Sequence, residues 1–490
     1  MLSDLHLVNV VPGSGVQDVQ HPPLGLLYVG SYLVRNGYSV AIHQILPKEI
    51  DSLTDGIVKD DPLLVGFSVT TGLSSYYSAS MSKLLKSKNS EATIVWGGWH
   101  PSLTPEQCLA EDYVDIVCVG EGERTLLEVA EALKAKRNLS EVKSIGFKSQ
   151  SKPVMTAPRP PEANIDVFEL DYGLLDFGKF TIRRGDTYTT SFSSSRGCVH
   201  ICGFCCTPSM FKRKWRPHSP EYVVRHLAEL KHRFGVNDVY FSDDNFFADH
   251  ERAFAIIKGL RDAGISCSTV DVRVDSINKG MLERLVRYGA TGAFFGWESG
   301  SDRLLSLMRK NITTDQIISC ARLMSEFPVS VWASGIMCLP TETRAEFDST
   351  LKMALALFKA IPQGTVSLFP YMPLPGTEFL RLAVENGFKT PVDPEDWVRS
   401  DPQSPFYDVT WIPWIGEAPA RMRNIRMTQE FTRKVLARTG PSSNWAFSAV
   451  QTVFNKLGCY RISRQNFSMP IDLKMHSLFK GCWQTARTLF

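Results

Sequence analysis

Short apolar runs separated by stretches of helical spacing recur along most of this 490-residue chain. Neighbouring parallel strands need a long crossover, usually an α-helix, so this alternation predicts parallel sheets covered by helices. Leu5–Val11, Ser39–Ile45, Leu63–Val69, Thr93–Trp96 and Ile116–Val119 read as buried strands, with helices through Leu26–Asn36, Tyr76–Ser87 and Thr125–Lys134. They make a doubly wound, Rossmann-like α/β domain over residues 1–140. Ligands of such sheets bind beyond the carboxyl ends of the strands. Glycines and small polar residues collect there in Gly66-Phe-Ser-Val-Thr-Thr-Gly72 and Gly97-Gly-Trp-His100.

Residues 141–185 break the rhythm with Pro153, Pro158, Pro160 and Pro161 and read as a linker. Six further β/α units, beginning with the strand Thr189–Ser194 and a helix capped by Ser219, predict a partial (β/α)6 barrel over residues 186–376. Residues 377–490 form a mainly helical C-terminal extension. Trp397, Phe406, Tyr407, Trp411 and Trp414 there suggest an aromatic lid.

With 43% hydrophobic residues the chain can bury more than one core, and a net charge of +3 gives no reason to expect nucleic acid as a partner. The charge is unevenly placed. From Arg421 onward there are twelve Lys/Arg and two acids, which leaves residues 1–420 at −7. This stretch, 421–490, either lies on anionic lipid or packs as a solvated basic helix on the acidic remainder. The first residues lack a signal-peptide pattern, and no apolar run reaches the roughly 18 residues needed to span a bilayer. The expected location is the cytoplasm, with peripheral contact at the inner face of the membrane as the alternative.

Eleven cysteines, an odd number, do not suit a secreted disulfide framework. Three of them form a C-x3-C-x2-C array directly after a predicted strand: Cys198, Cys202 and Cys205 in Arg196-Gly-Cys-Val-His-Ile-Cys-Gly-Phe-Cys-Cys206. Three thiolates on one loop can ligate three irons of a four-iron cluster and leave the fourth open, whereas a closed zinc site wants four ligands. The plainer alternatives are buried cysteines or a zinc loop completed by His200 or Cys206.

This loop resembles the hallmark of the radical S-adenosylmethionine (SAM) superfamily, and the resemblance covers residues 185–375. It implies a four-iron four-sulfur cluster whose open iron is chelated by SAM, and reductive cleavage of SAM to a 5′-deoxyadenosyl radical. Phe204 stands where the family packs an aromatic on the adenine. Asp243, in Tyr240-Phe-Ser-Asp-Asp-Asn245, stands where the family contacts the SAM amino group, although the usual Gly-Gly-Glu is replaced. Arg273 and Glu298 follow the third and fourth strands, where a cation pairs with the SAM carboxylate and a carboxylate reaches the ribose. Each also has a plain role, as helix cap, exposed strand-end charge or turn.

Residues 1–135 are similar to the cobalamin-binding domain that precedes this barrel in one large subfamily, the class B methyltransferase type. The matching segments are His21-Pro-Pro-Leu-Gly-Leu-Leu-Tyr-Val-Gly30, Gly97-Gly-Trp-His-Pro101 and Val117-Cys-Val-Gly-Glu-Gly-Glu123. Ser68, Thr70, Gly97 and Gly98 are expected to line the pocket for the cobalamin tail, because small side chains admit a large ligand. His100 either contacts that tail or caps a turn. The D-x-H-x-x-G motif that gives cobalt a histidine is absent, so the resemblance implies cobalamin without that ligand. It also implies methylation of an unactivated carbon in a lipid-like substrate, such as a hopanoid or another polycyclic isoprenoid, or in a tetrapyrrole. Electrons would come from a flavodoxin or ferredoxin. The alternatives are a cyclase that uses cobalamin without methyl transfer and a non-catalytic iron–sulfur or corrinoid sensor.

Overall fold

The computed structural model of the protein describes residues 3–12, 21–150, 152–361, 363–401 and 404–415, and beyond them 425, 427–430, 432, 436–438 and 445–464. Two compact units make up the chain: residues 1–268 with 372–411, and residues 269–371 with 412–490.

The first unit contains the predicted doubly wound sheet. Its parallel strands are β1 (Leu5–Val10), β2 (Val40–Ile45), β3 (Leu64–Ser68), β4 (Ile94–Gly97) and β5 (Ile116–Cys118). Helices α1 (Leu24–Arg35), α2 (Ile50–Asp60), α3 (Leu73–Lys88) and α4 (Glu123–Lys134) provide the crossovers. Alternate residues of β1 point to opposite faces. Leu5 and Leu7 join Leu33 and Val129 in one core, while Val8 and Val10 join Met81 and Leu85 in the other. Strand order runs β2-β1-β3-β4-β5, so the winding reverses between β1 and β3, the position where such sheets open a ligand crevice.

The sheet continues past residue 140. Strands β6 (Ile145–Ser149) and β7 (Lys152–Met155) add antiparallel to β5, so the proline-rich stretch is not all linker. Pro153 is tolerated because β7 is the edge strand, where a missing N–H costs no ladder bond on the open side. Ile165, Phe168 and Tyr172 are buried farther along the stretch.

The same unit holds the first barrel strands, β8 (Ile182–Arg184) pairing antiparallel with β9 (Thr187–Phe192). A two-stranded ribbon, β10 (Ser195–Arg196) with β11 (Arg216–Pro217), follows. Helix α5 (Pro220–Phe234) then leads to β12 (Asp238–Phe241), parallel to β9, and to helix α6 (His250–Asp262). Ser219 caps α5 as expected, accepting from the Tyr222 N–H. Strand β13 (Ser266–Asp271) carries the boundary between the units.

In the second unit β13 is followed by α7 (Lys279–Arg287), β14 (Gly292–Glu298), α8 (Thr314–Met324), β15 (Ser330–Met337), α9 (Arg344–Ala360) and β16 (Gly364–Pro370). Strands β13 to β16 pair parallel in chain order. Part of the basic C-terminal stretch is integral here. β17 (Ala437–Arg438) adds antiparallel to β16, and Ile425 and Leu436 are buried. A helix, α11 (Trp445–Arg464), follows; the basic residues from 465 onward lie outside the described residues. Between β16 and β17 the chain returns to the first unit with α10 (Glu378–Glu385) and residues up to Trp411.

The aromatics of that return segment pack into the first unit at two of their positions, Trp397 and Tyr407. Trp397 is only 1% exposed and donates to Gln107 Oε1 at 3.1 Å, while Glu395 accepts from the Tyr113 hydroxyl at 2.6 Å. Trp414 belongs to the second unit and donates to the Cys338 carbonyl. Among the described residues no helix is long and apolar enough to cross a membrane.

Candidate active site

The three cysteines lie on a loop whose stem is the β10–β11 ribbon. Gly197 begins the loop with φ +88°, and a Cβ there would stand 2.1 Å from the Lys214 carbonyl oxygen, so only glycine fits. The Cys205 N–H donates to the Cys202 carbonyl at 3.1 Å, which curls the chain between the second and third thiols. Gly203 is buried against Phe379, whose N–H donates to the Gly203 carbonyl at 3.0 Å. Cys198, Cys202 and Cys205 are free and half-buried, as is Phe204 between the last two. Burial raises the Cys198 and Cys205 thiols, and pushes Cys206 up to about 12.

Among the described residues no three His, Cys, Asp or Glu side chains converge as they would on one metal ion. A cubane puts each thiolate on a different iron, so its ligands stand farther apart than those of a single ion. Three free thiols on a tightly curled loop fit that larger group. Asn245 Nδ2, 3.7 Å from the Cys198 sulfur, adds the outer hydrogen bond such ligands ordinarily receive.

Asp243 spends its oxygens on the base of this loop. It accepts from the Ser194 N–H at 2.9 Å, the Ser194 hydroxyl at 2.8 Å and the Ser195 hydroxyl, and burial lifts its pKa to about 6 against those bonds. Asp244 accepts from the Gly197 N–H at 3.0 Å and the Thr207 hydroxyl at 3.1 Å. Neither aspartate caps the next helix: Asp249 does, accepting from the Arg252 N–H.

In the second unit Arg273 forms a two-pronged pair with Asp275 at 2.9 and 2.8 Å and donates to the Lys310 carbonyl at 3.0 Å. Glu298 is buried, with φ +58°, and accepts from Lys310 Nζ at 2.7 Å. Lys310 thus connects the two residues expected to contact SAM, a role its place twelve residues after Glu298 did not advertise.

At the carboxyl ends of β3, β4 and β5 the first unit forms a partly open cavity of about 350 Å3. Ser68, Gly97 and Gly98 line it, together with Gly66, Gly120 and Gly122. A Cβ at Gly120, or at Gly25, which also lines the cavity, would meet no atom within 4 Å, so the cradle has room for a bulky ligand. Thr70 and His100 are not in the lining. Thr70 is exposed, its N–H donating to the Ser74 hydroxyl. His100 is fully buried on the short helix Trp99–Leu103, with Thr71 Oγ1 3.1 Å from its Nδ1 and its ring against Trp397. The cause is Gly98: its φ of +99° turns the chain so that the His100 N–H donates back to Val69, and the ring is carried away from the cavity. Burial holds its pKa down to about 4. No histidine is among the described lining residues.

Sequence reasoning missed the polar side of the cavity. Glu121, Glu123, Arg196 and Asp244 line it, and all but Asp244 belong to one buried ion-pair group. Burial raises the Glu121 carboxyl, but the Arg216 hydrogen bond and the charges of Arg196 and Arg216 outweigh it, so its pKa lies below the ordinary range. Tyr28, another lining residue, lies within hydrogen-bond distance of His218 Nε2 at 2.9 Å, and His218 Nδ1 pairs with Asp166 at 2.8 Å.

The profile of the Radical SAM superfamily matches residues 192–354, and that of the B12 binding domain matches residues 15–130. An uncharacterized methyltransferase of Pyrococcus horikoshii is 31% identical over 386 residues, covering 78% of this chain and 82% of the relative. The anaerobic magnesium-protoporphyrin IX monomethyl ester cyclase of Synechocystis sp. is 25% identical over 354 residues, covering 70% of each chain. The fold matches that of the radical S-adenosylmethionine methyltransferase TsrM from Kitasatospora setae, solved with cobalamin and a [4Fe-4S] cluster, with a TM-score of 0.66 at 15% identity over 98% of this chain and all of that one.

Proposed function

This chain belongs to the radical SAM superfamily, in the branch that carries a B12-binding domain, and on that premise we propose that it methylates an unactivated carbon. The enzyme is a methyltransferase that uses a four-iron four-sulfur cluster, SAM and cobalamin. The substrate we propose is lipid-like, a polycyclic isoprenoid such as a hopanoid, or a tetrapyrrole, with a flavodoxin or ferredoxin as electron donor. One observation carries this reading: the cysteine loop and the glycine-lined cavity share a wall. Ser195 and Arg196 at the loop's stem, and Asp244 bonded to Gly197, all line the cavity.

When bound, the cluster supplies the electron that cleaves SAM, and cobalamin supplies the methyl group. This chain's residues set the conditions. Cys198, Cys202 and Cys205 would hold the cluster through three thiolates. Gly66, Gly97 and Gly98 admit the cobalamin tail, and Leu7, Phe67 and Leu126 keep water from that wall. Among the described lining residues there is no histidine, so none of them would offer cobalt an imidazole. We also propose peripheral contact with the inner face of the membrane, for which α11 would offer its exposed Val453, Leu457 and Tyr460 beside Lys456 and Arg464.

The second reading, a ring-forming enzyme, rests on the similarity to the Synechocystis cyclase. Reconstituted protein, given methyl-labelled SAM with lipid and pigment extracts, separates the two. A labelled product heavier by one CH2 unit supports methylation; an unlabelled product that has lost hydrogens supports the cyclase.

A further inference from the structure

The β10–β11 ribbon sets Arg196 directly opposite Arg216, and like charges facing each other on a two-stranded ribbon destabilise it. Glu121, in the loop after β5, and Glu123, the first residue of α4, remove that conflict. Glu121 Oε1 accepts from Arg196 Nη1 at 3.0 Å and from Arg216 Nη2 at 2.6 Å, and its Oε2 accepts from Arg216 Nη1 at 2.9 Å. Glu123 Oε1 accepts from Arg196 Nη2 at 2.6 Å. The two positive and two negative charges balance, and the Arg196 guanidinium also lies 4.8 Å from the centre of the Tyr28 ring. Breaking a buried pair strands a charge, so these four residues keep or lose their arrangement together.

The group touches both cofactor regions. Glu121 and Glu123 flank Gly122 on the cavity wall, while Arg196 immediately precedes Gly197, where the cysteine loop begins. From this geometry we infer that Glu121, Glu123, Arg196 and Arg216 form a clasp through which an occupied cobalamin cavity and an assembled cluster stabilise one another. They are positioning residues: a filled cavity fixes the glutamates, the glutamates fix the ribbon, and the ribbon fixes the stem of the cysteine loop. Coupling of this kind is reciprocal by thermodynamic necessity.

The inference rests on the cofactor assignment, and its test keeps the two separate. Full-length protein, with and without a reconstituted cluster, is titrated anaerobically with hydroxocobalamin, read by quenching of Trp99 on the cavity wall. Wild-type protein is expected to bind about 5-fold or more tightly when the cluster is present. Glu123→Gln and, as a second variant should that one fold poorly, Arg216→Lys are expected to bring the ratio close to 1 with unchanged near-ultraviolet circular dichroism. Equal wild-type affinity in the two states, or an unchanged ratio in a folded variant, overturns the clasp. Failure of wild-type protein to bind hydroxocobalamin in either state overturns instead the cofactor assignment and the clasp with it.

Discussion

A buried imidazole with no acid beside it resists protonation, and His100 is such a group, its pKa lowered to about 4 by burial alone. In the unfolded chain it takes up a proton near pH 6.5, but in the folded chain only near 4, so the unfolded state binds more protons between those values. Stability therefore falls as pH drops through that window, by on the order of 3 kcal/mol from this residue. His100→Gln removes this share, and the variant's apparent Tm is expected to decline less than that of wild type between pH 6.5 and 4.5. An identical decline in both would contradict it. At the cysteine loop, Cys198→Ala, Cys202→Ala and Cys205→Ala are each expected to lose most of the bound iron, while Cys206→Ala retains it, since three thiolates and SAM complete the coordination. Iron analysis after anaerobic reconstitution decides it. It is their spacing in the sequence that singles out these three cysteines. His100 was not placed, because nothing in Gly97-Gly-Trp-His tells which way the second glycine turns the chain. The clasp was invisible, since its partners lie 73 to 95 residues apart.

Among the elements, those that stand out in the sequence are the ones buried on both faces. β3 and β14 are near-continuous apolar runs, so their positions follow from hydrophobicity, with their ends off by a residue or two. β6 and β7 carry Lys148, Ser149, Lys152 and Pro153, an edge composition that reads like linker, and the two-residue β10 and β11 have no periodicity to detect. The turn from β4 into the short helix Trp99–Leu103 depends on Gly98. A Cβ there would lie 2.9 Å from the Val69 oxygen at a φ that side chains rarely adopt. Gly98→Ala is expected to cost about 1–3 kcal/mol and to weaken hydroxocobalamin binding, as read by thermal unfolding and titration. On α11, Leu457→Glu replaces the middle of the exposed apolar stripe with a charge that anionic lipid repels. Its sedimentation with anionic vesicles at low salt is expected to fall below that of wild type; equal sedimentation would remove the helix from any membrane contact.

For the whole molecule, the cavity wall depends on sequence far beyond the first sheet. Ser193, Arg196, Met210 and Phe211 contribute to it, so a fragment ending at residue 157, just after β7, keeps the sheet and lacks that side. Such a fragment is expected to bind hydroxocobalamin at least about tenfold more weakly than the full chain, a difference near 1.4 kcal/mol. The central claim is that one chain holds a cubane on three cysteines and a corrin in the neighbouring cavity. Iron, sulfide and cobalamin, counted per chain after anaerobic reconstitution of the full-length protein, test it most directly. About four irons, about four sulfides and about one cobalamin are expected, with the iron and sulfide lost in Cys202→Ala. A single iron or zinc per chain, or iron that survives in Cys202→Ala, would contradict it.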